Sequence, residues 1–330
     1  MKKENYKNIG QFILLIMIVL IIWFGGWWYI DSNILPINDR GAFGDKFGFS
    51  NSLFSALALA GIIYSILLQQ KELNLQGKEL SDTRDEFKNQ NFQTTFFNLL
   101  TTQSRIADEI RISIWNLKSY DEEVSKDFNG RRFFNQSKSE LSRIIIALNN
   151  KKYLPYSRWD ESDDQHGPSS DYESEILSTD RNIGFTLRYY GITEEIWKRS
   201  KKMQPIEIAK LSYGIFFNKF NYVSGHYFRH IYHILNFLSN TEKEKHKNIT
   251  DAEKINEINK EFRQYADFVQ AQMSAPELFL LFYNSLTFPK LQLLLIQYQI
   301  LENLPVEDLI SPAHNAVEGF ILKSRKDLIN

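Results

Sequence analysis

A short run rich in histidine and arginine holds the side chains best suited to chemistry. Half of the six histidines of the chain lie between residues 226 and 233. At 100° per residue, a helix places four side chains of this run on one face, which are His226, Arg229, His230 and His233. The opposite face is apolar and would pack in a core. The histidine–arginine face must therefore meet water, a cleft or another polar helix.

Three interpretations of the histidine–arginine face stay open. Its imidazoles can be structural and bond neighbouring carbonyls or carboxylates. The face can instead bind an anion or RNA, because arginine binds phosphate. Histidine gains and loses a proton near neutral pH, so all four side chains are candidates for catalysis. The spacing of His226 and His230 also suits metal ligands. Because no carboxylate accompanies them, we expect no metal and no cofactor.

Helical ribonucleases with an Arg–His motif offer a comparison for this run. Their motif separates arginine from histidine by four to six residues, whereas three residues lie between Arg229 and His233. The spacing therefore fails, and a ribonuclease-like enzyme is only an alternative.

Polar side chains also interrupt the apolar sequence that follows. Four of them are candidates for binding, which are Gln270, Gln272, Tyr283 and Asn284. A polar group buried in a helix needs a partner, so these residues carry structural or functional information. Glu277 could serve the histidines as an acid partner. Its spacing from Ser274 favours a capping box at a helix start instead.

Helices are the elements that would position these residues. Apolar residues recur at helical spacing from Phe92 onward and few segments alternate as strands do, so we predict an all-α fold. The predicted helices include Glu194–Lys202, Ile206–Asn218, Ser224–Leu238, Asp251–Gln272, Ala275–Leu286 and Leu291–Leu301. Three more pairs have capping-box spacing, which are Ser137 with Glu140, Thr241 with Glu244 and Thr250 with Glu253.

The N-terminal seventy residues have the hydropathy of a membrane anchor. No charged residue lies between Asn8 and Ile30 or between Phe47 and Gln70, and a membrane span needs about 20 apolar residues. We therefore predict a hairpin of two transmembrane helices at about 9–30 and 50–69. The glycine-rich segment Arg40–Asn51 is predicted to form a tight turn between them.

Basic residues are more frequent at the ends of this hairpin than in its loop. They comprise Lys2, Lys3 and Lys7 before it, Lys71, Lys78 and Arg84 after it, and only Arg40 and Lys46 between the helices. The positive-inside rule then places both termini in the cytoplasm. We expect a multi-pass membrane protein, with the lipid bilayer as its first partner.

A charged segment after the second predicted membrane helix indicates a helical stalk at 71–91. An apolar residue recurs every seven positions, at Ile66, Leu73, Leu80 and Phe87, which is a weak coiled-coil seam. Small residues in the second membrane helix recur every four positions, at Ser52, Ala56 and Ala60. The membrane helices and the stalk are therefore expected to support a homo-oligomer. Residues 92–330 would form the cytosolic helical domain.

Net charge and cysteine content further limit the kinds of site that the chain can contain. The formal net charge is −1, so the chain as a whole has no basic bias toward nucleic acid. Cysteine is absent from the sequence, which excludes disulfides, thiolate metal sites and cysteine nucleophiles.

Two blocks of this sequence resemble phage abortive infection proteins of the AbiC type. The first block consists of Arg40–Gly48 (RGAFGDKFG), Asn51–Tyr64 (NSLFSALALAGIIY), Leu67–Gln69 and Lys71–Leu73. The second block consists of Gly225–Leu235 (GHYFRHIYHIL), Ala271–Ser274 (AQMS) and Glu277–Asn284 (ELFLLFYN). The chain departs from the family at Gln270, where the family has an arginine before Ala-Gln-Leu-Ser.

This resemblance implies a bacterial anti-phage defence protein that arrests or kills the infected cell, and it makes the membrane expected above the bacterial inner membrane. It implies no catalytic mechanism, and the sequence alone assigns no enzymatic activity. A phage component or RNA is then expected as a partner. Two alternatives stay open, a ribonuclease-like enzyme that uses the histidine–arginine face and a non-enzymatic membrane scaffold or sensor.

Overall fold

The computed structural model of the protein describes residues 17, 21–26, 28–29, 32–33, 37–117, 123–154, 171–247 and 249–329. This part of the chain is mostly helical, as predicted. It divides into two compact units, residues 1–89 and 90–330. The first predicted membrane helix, at about 9–30, lies largely outside the described residues.

Helix α1 (Ile37–Glu109) contains most of the first unit. The tight turn predicted at Arg40–Asn51 is wrong, because these residues are helical. Glycine weakens a helix by only about 1 kcal/mol per residue relative to alanine, so Gly41, Gly44 and Gly48 do not forbid one. The segments predicted as second membrane helix, 50–69, and stalk, 71–91, also belong to α1.

Apolar side chains cover much of the first unit's part of α1. Several are more than half exposed, which are Phe54, Leu59, Ile62, Ile63, Ile66 and Leu67. Within the residues that the structure describes, no helix combines the length and the apolar character that a membrane crossing requires.

A β-hairpin follows α1 and departs from the predicted all-α fold. Strands β1 (Arg111–Leu117) and β2 (Glu123–Asn129) pair antiparallel, with Arg111 opposite Asn129 and Leu117 opposite Glu123. In β1 the buried Ile112 and Ile114 alternate with exposed residues. In β2 only Phe128 is buried, so its sequence carries no alternating apolar pattern.

The rest of the second unit is built from helices. They are α2 (Arg132–Asn149), α3 (Asp171–Tyr189), α4 (Glu194–Ser200), α5 (Pro205–His246), α6 (Ala252–Ala271), α7 (Ala275–Thr287), α8 (Pro289–Gln297) and α9 (Arg325–Ile329). Short 3₁₀ turns occupy Val306–Asp308 and Pro312–Asn315. The helix predicted to extend to Leu301 ends at Gln297.

Helix α5 is longer than predicted, because the two helices expected at Ile206–Asn218 and Ser224–Leu238 are one. Its central residues Phe220 and Ser224 are buried, and the Ser224 hydroxyl donates to the Phe220 carbonyl at 3.0 Å. Burial of that segment against the core sustains the helix where the pattern indicated a break. The capping box predicted at Thr241 is also wrong, since its hydroxyl donates to Phe237 inside α5.

The other predicted capping boxes differ in outcome. Ser274 and Glu277 form the predicted box at the start of α7. Ser137 instead lies inside α2, where its hydroxyl donates to the Phe133 carbonyl. At the start of α6 the cap is Asp251, which accepts from the Glu253 amide, rather than Thr250.

The core of the second unit surrounds α7. Residues 277–286 of this helix are all buried, as expected for a helix that is apolar on every side. Helices α2, α5 and α8 pack around it. The last part of α1 adds Phe92 and Phe96, whose rings lie 5.0 and 5.1 Å from the ring of Tyr265 in α6. This packing holds α5 against the start of α8 and thereby forms the candidate site.

Candidate functional site

A half-enclosed cavity of about 430 Å³ lies where α5 meets the junction of α7 and α8; we call it the α5–α8 cavity. Its lining comprises Phe217, Gly225, Phe228, Arg229, Tyr232, Asn284, Phe288, Lys290 and Leu291. The α5 members recur at helical spacing, so they form one stripe along that helix. Phe288 ends α7 and precedes Pro289, which starts α8, so the chain turns at the cavity wall.

Aromatic and aliphatic side chains make most of this wall. Phe228 and Leu291 are buried, whereas Phe288 is 39% exposed. The rings of Phe217 and Phe288 meet edge to face, with centroids 5.4 Å apart. The cavity is therefore apolar inside and opens beside Phe288 and Lys290.

Two cationic side chains stand at the cavity, Arg229 from α5 and Lys290 from α8. Both are exposed. Within the part of the chain that the structure describes, no carboxylate pairs with either of them. An unpaired guanidinium and an ammonium beside an apolar cavity favour a ligand that carries an anion.

Asn284 supplies the polar group inside the cavity. It is 1% exposed, and its Nδ2 donates to the Tyr213 hydroxyl at 2.7 Å. Burial raises the pKa of Tyr213, so this phenol stays protonated at physiological pH. The Oδ1 of Asn284 is buried and accepts no hydrogen bond from any described residue. Such a buried acceptor is costly unless a ligand or water donates to it.

His230 occupies a different environment on the same helix. It is half-buried, and its Nδ1 lies 2.8 Å from the Oε1 of Gln103. Burial, together with the nearby His233, lowers the pKa of His230. This imidazole is therefore held neutral near pH 7 and oriented by an amide. The other members of the histidine–arginine face, His226 and His233, are exposed.

Behind this face lies a buried carboxylate, Glu277. Its Oε1 accepts from the Tyr227 hydroxyl at 2.9 Å, and its Oε2 accepts from the Ser274 amide at 2.8 Å. The Arg131 guanidinium lies 3.4 Å from the same Oε2. Burial and the Glu277 charge raise the pKa of Tyr227, which keeps it a donor. Glu277 is thus fully engaged in joining α5 to the start of α7.

Gln103 and Gln272 face a second, water-sized cavity of about 10 Å³ beside Glu277. The Nε2 of Gln103 and the Oε1 of Gln272 are buried and have no protein partner among the described residues. A cavity of this size accommodates about one water molecule, which could serve both amides.

The two remaining binding candidates are engaged in the core. Gln270 donates to the Ile300 carbonyl at 2.8 Å and accepts from Asn303. Tyr283 accepts from the Ile310 amide and lies 2.8 Å from His314. Of the residues predicted from sequence, the α5–α8 cavity brings together only Arg229 and Asn284.

Three important residues of these sites were not predicted: Gln103, Phe288 and Lys290. Gln103 interrupts the apolar stripe of Leu100 and Ala107 in α1, which is the only signal that the sequence offers for it. Phe288 and Lys290 flank Pro289, whose position at a helix start was recognisable. Their approach to Arg229 depends on tertiary packing.

Residues 219–309, a little over a quarter of the chain, match a family model described as "Putative phage abortive infection protein". This match confirms the predicted resemblance over the matched residues. The matched segment contains every lining residue of the α5–α8 cavity except Phe217. No curated protein and no solved structure matches the chain.

Proposed function

We propose, from this family match, that the protein is a membrane-anchored anti-phage effector whose helical unit responds to a ligand in the α5–α8 cavity. The observation that carries the proposal is the coincidence of the matched segment with that cavity. Response to infection requires a site that recognises something, and this cavity has the size of a small-molecule site, roughly 300–1,000 Å³.

The geometry favours binding over acid–base catalysis. His226 and His233 are exposed, and His230 contacts an amide. No carboxylate within the described part of the chain orients any of these three imidazoles, whereas catalytic histidines are usually held by such a group. Arg229, by contrast, lines the cavity. The ribonuclease alternative therefore gains no support from an assembled set of catalytic groups.

Anchoring at the inner membrane, with both termini in the cytoplasm, is part of the proposal. The charge-free sequence 8–30 and the exposed apolar side chains between Phe54 and Leu67 support it. Apolar surface of this extent is rarely left in water and fits contact with lipid or with a second copy of the chain. A homo-oligomer through these segments would bring several cavities together at one membrane patch.

A plaque assay tests this function. Bacteria that express the chain should yield fewer plaques than bacteria with an empty vector. Arg229→Ala should restore plaque formation, because it removes a cation from the cavity. His226→Ala is the matched control, since it changes an exposed residue of the same helix outside the cavity, and it should keep protection.

Two results would contradict the proposal. Unchanged phage yield across a broad panel, with the protein present in the membrane fraction, would refute the anti-phage role. Loss of protection in His226→Ala and His233→Ala as well as in Arg229→Ala would favour the nuclease alternative, which uses the whole histidine–arginine face.

A further inference from the structure

We infer that the α5–α8 cavity binds a nucleotide, with the base between its aromatic walls and the phosphate at Arg229 and Lys290. This inference rests on the proposed ligand-binding role and names the chemical class of the ligand. Four features carry it: the aromatic wall, the unsatisfied Asn284 amide, the two unpaired cations and the glycine at position 225.

The wall suits a flat aromatic ligand. Phe217, Phe228, Tyr232 and Phe288 line the cavity, and the volume of about 430 Å³ exceeds what a single side chain or a few waters would fill. Every nucleobase has a π-face that stacks on such rings. Apolar walls alone would also accept an acyl chain, so the polar groups decide between these ligands.

The Asn284 amide favours a ligand that can form hydrogen bonds. Its Nδ2 is used by Tyr213, and its buried Oδ1 accepts no hydrogen bond from any described residue, although Asn284 belongs to the cavity lining. The Tyr213 hydroxyl can also donate, so a flipped amide would present Nδ2 instead. Base edges carry both donors and acceptors and satisfy either orientation. An acyl chain would leave this buried amide atom without a partner.

The cations place the charged end of the ligand. Arg229 and Lys290 are exposed and stand at the same cavity from different helices, and neither has a carboxylate partner among the described residues. A guanidinium and an ammonium together suit a phosphate, which accepts several charge-assisted hydrogen bonds. The chain has a net charge of −1, so this pair is a local feature rather than a consequence of general basicity.

Gly225 keeps room for the ligand. It lies in the interior of α5, where glycine is unfavourable relative to alanine. A Cβ built there would meet only the Phe217 ring, at 3.9 Å, so an alanine would fit without strain. A larger side chain would extend into the cavity. Gly214, in the same helix, has no atom within 4 Å of its built Cβ and does not line the cavity.

Equilibrium binding to the purified full-length chain in detergent tests the inference. The probes are AMP, GMP, CMP and UMP, with laurate and inorganic phosphate as comparison ligands, measured by titration calorimetry. At least one nucleotide should bind about tenfold or more tightly than phosphate and laurate. Arg229→Ala should weaken that binding by about tenfold or more, because it removes a charge-assisted contact.

Substitutions at the two glycines form the matched pair. Gly225→Leu should abolish nucleotide binding by filling the cavity, whereas Gly214→Leu should leave it unchanged. Circular dichroism on both variants checks that the helices are intact. If Gly225→Leu unfolds, Gly225→Val is the smaller change that still extends beyond Cβ into the cavity, and it should weaken nucleotide binding. Retained binding in a folded Gly225→Leu protein would overturn the inference.

Failure of this inference can be told apart from failure of the proposed function. If no nucleotide binds better than phosphate, or if laurate binds more tightly than every nucleotide, the ligand class is wrong. Protection against phage that Gly225→Leu abolishes and Gly214→Leu keeps would then still support the cavity as a ligand site. Loss of protection in neither variant would contradict both.

Discussion

His314 illustrates how burial and one hydrogen bond determine the protonation state of a histidine. It is 2% exposed, and its Nδ1 lies 2.8 Å from the Tyr283 hydroxyl. That hydroxyl accepts from the Ile310 amide, so its own proton is available to His314. Nδ1 must then be unprotonated. Burial lowers the pKa of His314, which agrees with a neutral imidazole that accepts this hydrogen bond.

Acid should therefore destabilise the folded protein partly through His314. Since the folded state binds this proton less readily than the unfolded chain, its contribution to stability is complete above pH 6.5 and falls as the pH drops below that value. His314→Gln keeps an acceptor for Tyr283 and removes the titration. We expect a smaller loss of melting temperature between pH 7.5 and pH 5.5 than in the unmodified protein.

The control for this experiment is His226→Gln, which changes an exposed histidine of α5. It should keep the pH dependence of the unmodified chain, as read by thermal unfolding at several pH values. An identical pH dependence in His314→Gln and the unmodified chain would show that His314 titrates equally in both states.

At the level of elements, the turn from β2 into α2 depends on Gly130. Its φ is +56°, a conformation that glycine adopts easily, and its amide donates to the Ile110 carbonyl at 2.7 Å. A Cβ there would lie 3.3 Å from the Asp108 carbonyl oxygen. The turn thus brings the end of β2 so close to the end of α1 that a side chain at this position would press on the Asp108 carbonyl.

Gly130→Ala should destabilise the protein more than Gly191→Ala. Gly191 also has a positive φ, of 63°, but its built Cβ meets nothing within 4 Å. Gly191→Ala should therefore lose about 1 kcal/mol of unfolding free energy for the strained backbone, and Gly130→Ala about 1–2 kcal/mol more for the added contact. Chemical denaturation of the two variants measures the difference. Equal losses would mean that the backbone near Asp108 shifts to accommodate the added Cβ at little cost in free energy.

Sequence patterns anticipated helices where burial follows the helical period. Helices α6 and α7 agree with prediction within a few residues, because their apolar faces and their starts are both marked. The unbroken course of α5 was not predictable, since burial of Phe220 and Ser224 by distant elements sustains it. The hairpin escaped prediction because only Ile112, Ile114 and Phe128 mark its buried side.

The candidate site was predictable to a similar extent. Arg229 and Asn284 are recognisable as polar residues in or beside apolar helices. The roles of Lys290 and Gln103 depend on residues that are distant in sequence. Gln103, for example, contacts His230, which lies 127 positions away. Sequence periodicity indicates which face of a single helix or strand is buried. It does not predict a contact between two elements that are distant in sequence.

At the level of the whole molecule, the absence of cysteine makes the proposed membrane topology easy to test. Single cysteines can be introduced by Asp45→Cys, Leu80→Cys and Ser324→Cys, and labelled with a maleimide that does not cross membranes. The proposal predicts labelling of Asp45→Cys in cells whose cytoplasmic membrane is intact. Leu80→Cys and Ser324→Cys should react only after lysis, because the positive-inside rule assigns both to the cytoplasm.

The unmodified chain, which has no thiol, is the blank for this labelling. Reaction of Ser324→Cys in intact cells would reverse the proposed orientation. Recovery of the full chain from a detergent-free extract, folded and monodisperse, would argue against a membrane anchor altogether.

The unbroken helix α5 makes the cavity sensitive to chain length. Phe217 lines the cavity together with Gly225, Phe228, Arg229 and Tyr232 because one unbroken helix keeps them in phase. Deleting one residue between 218 and 224 would turn everything that follows by about 100° relative to the preceding part. Arg229 would then rotate away from Lys290. Insertions and deletions should accordingly be far less tolerated here than in the connections between helices.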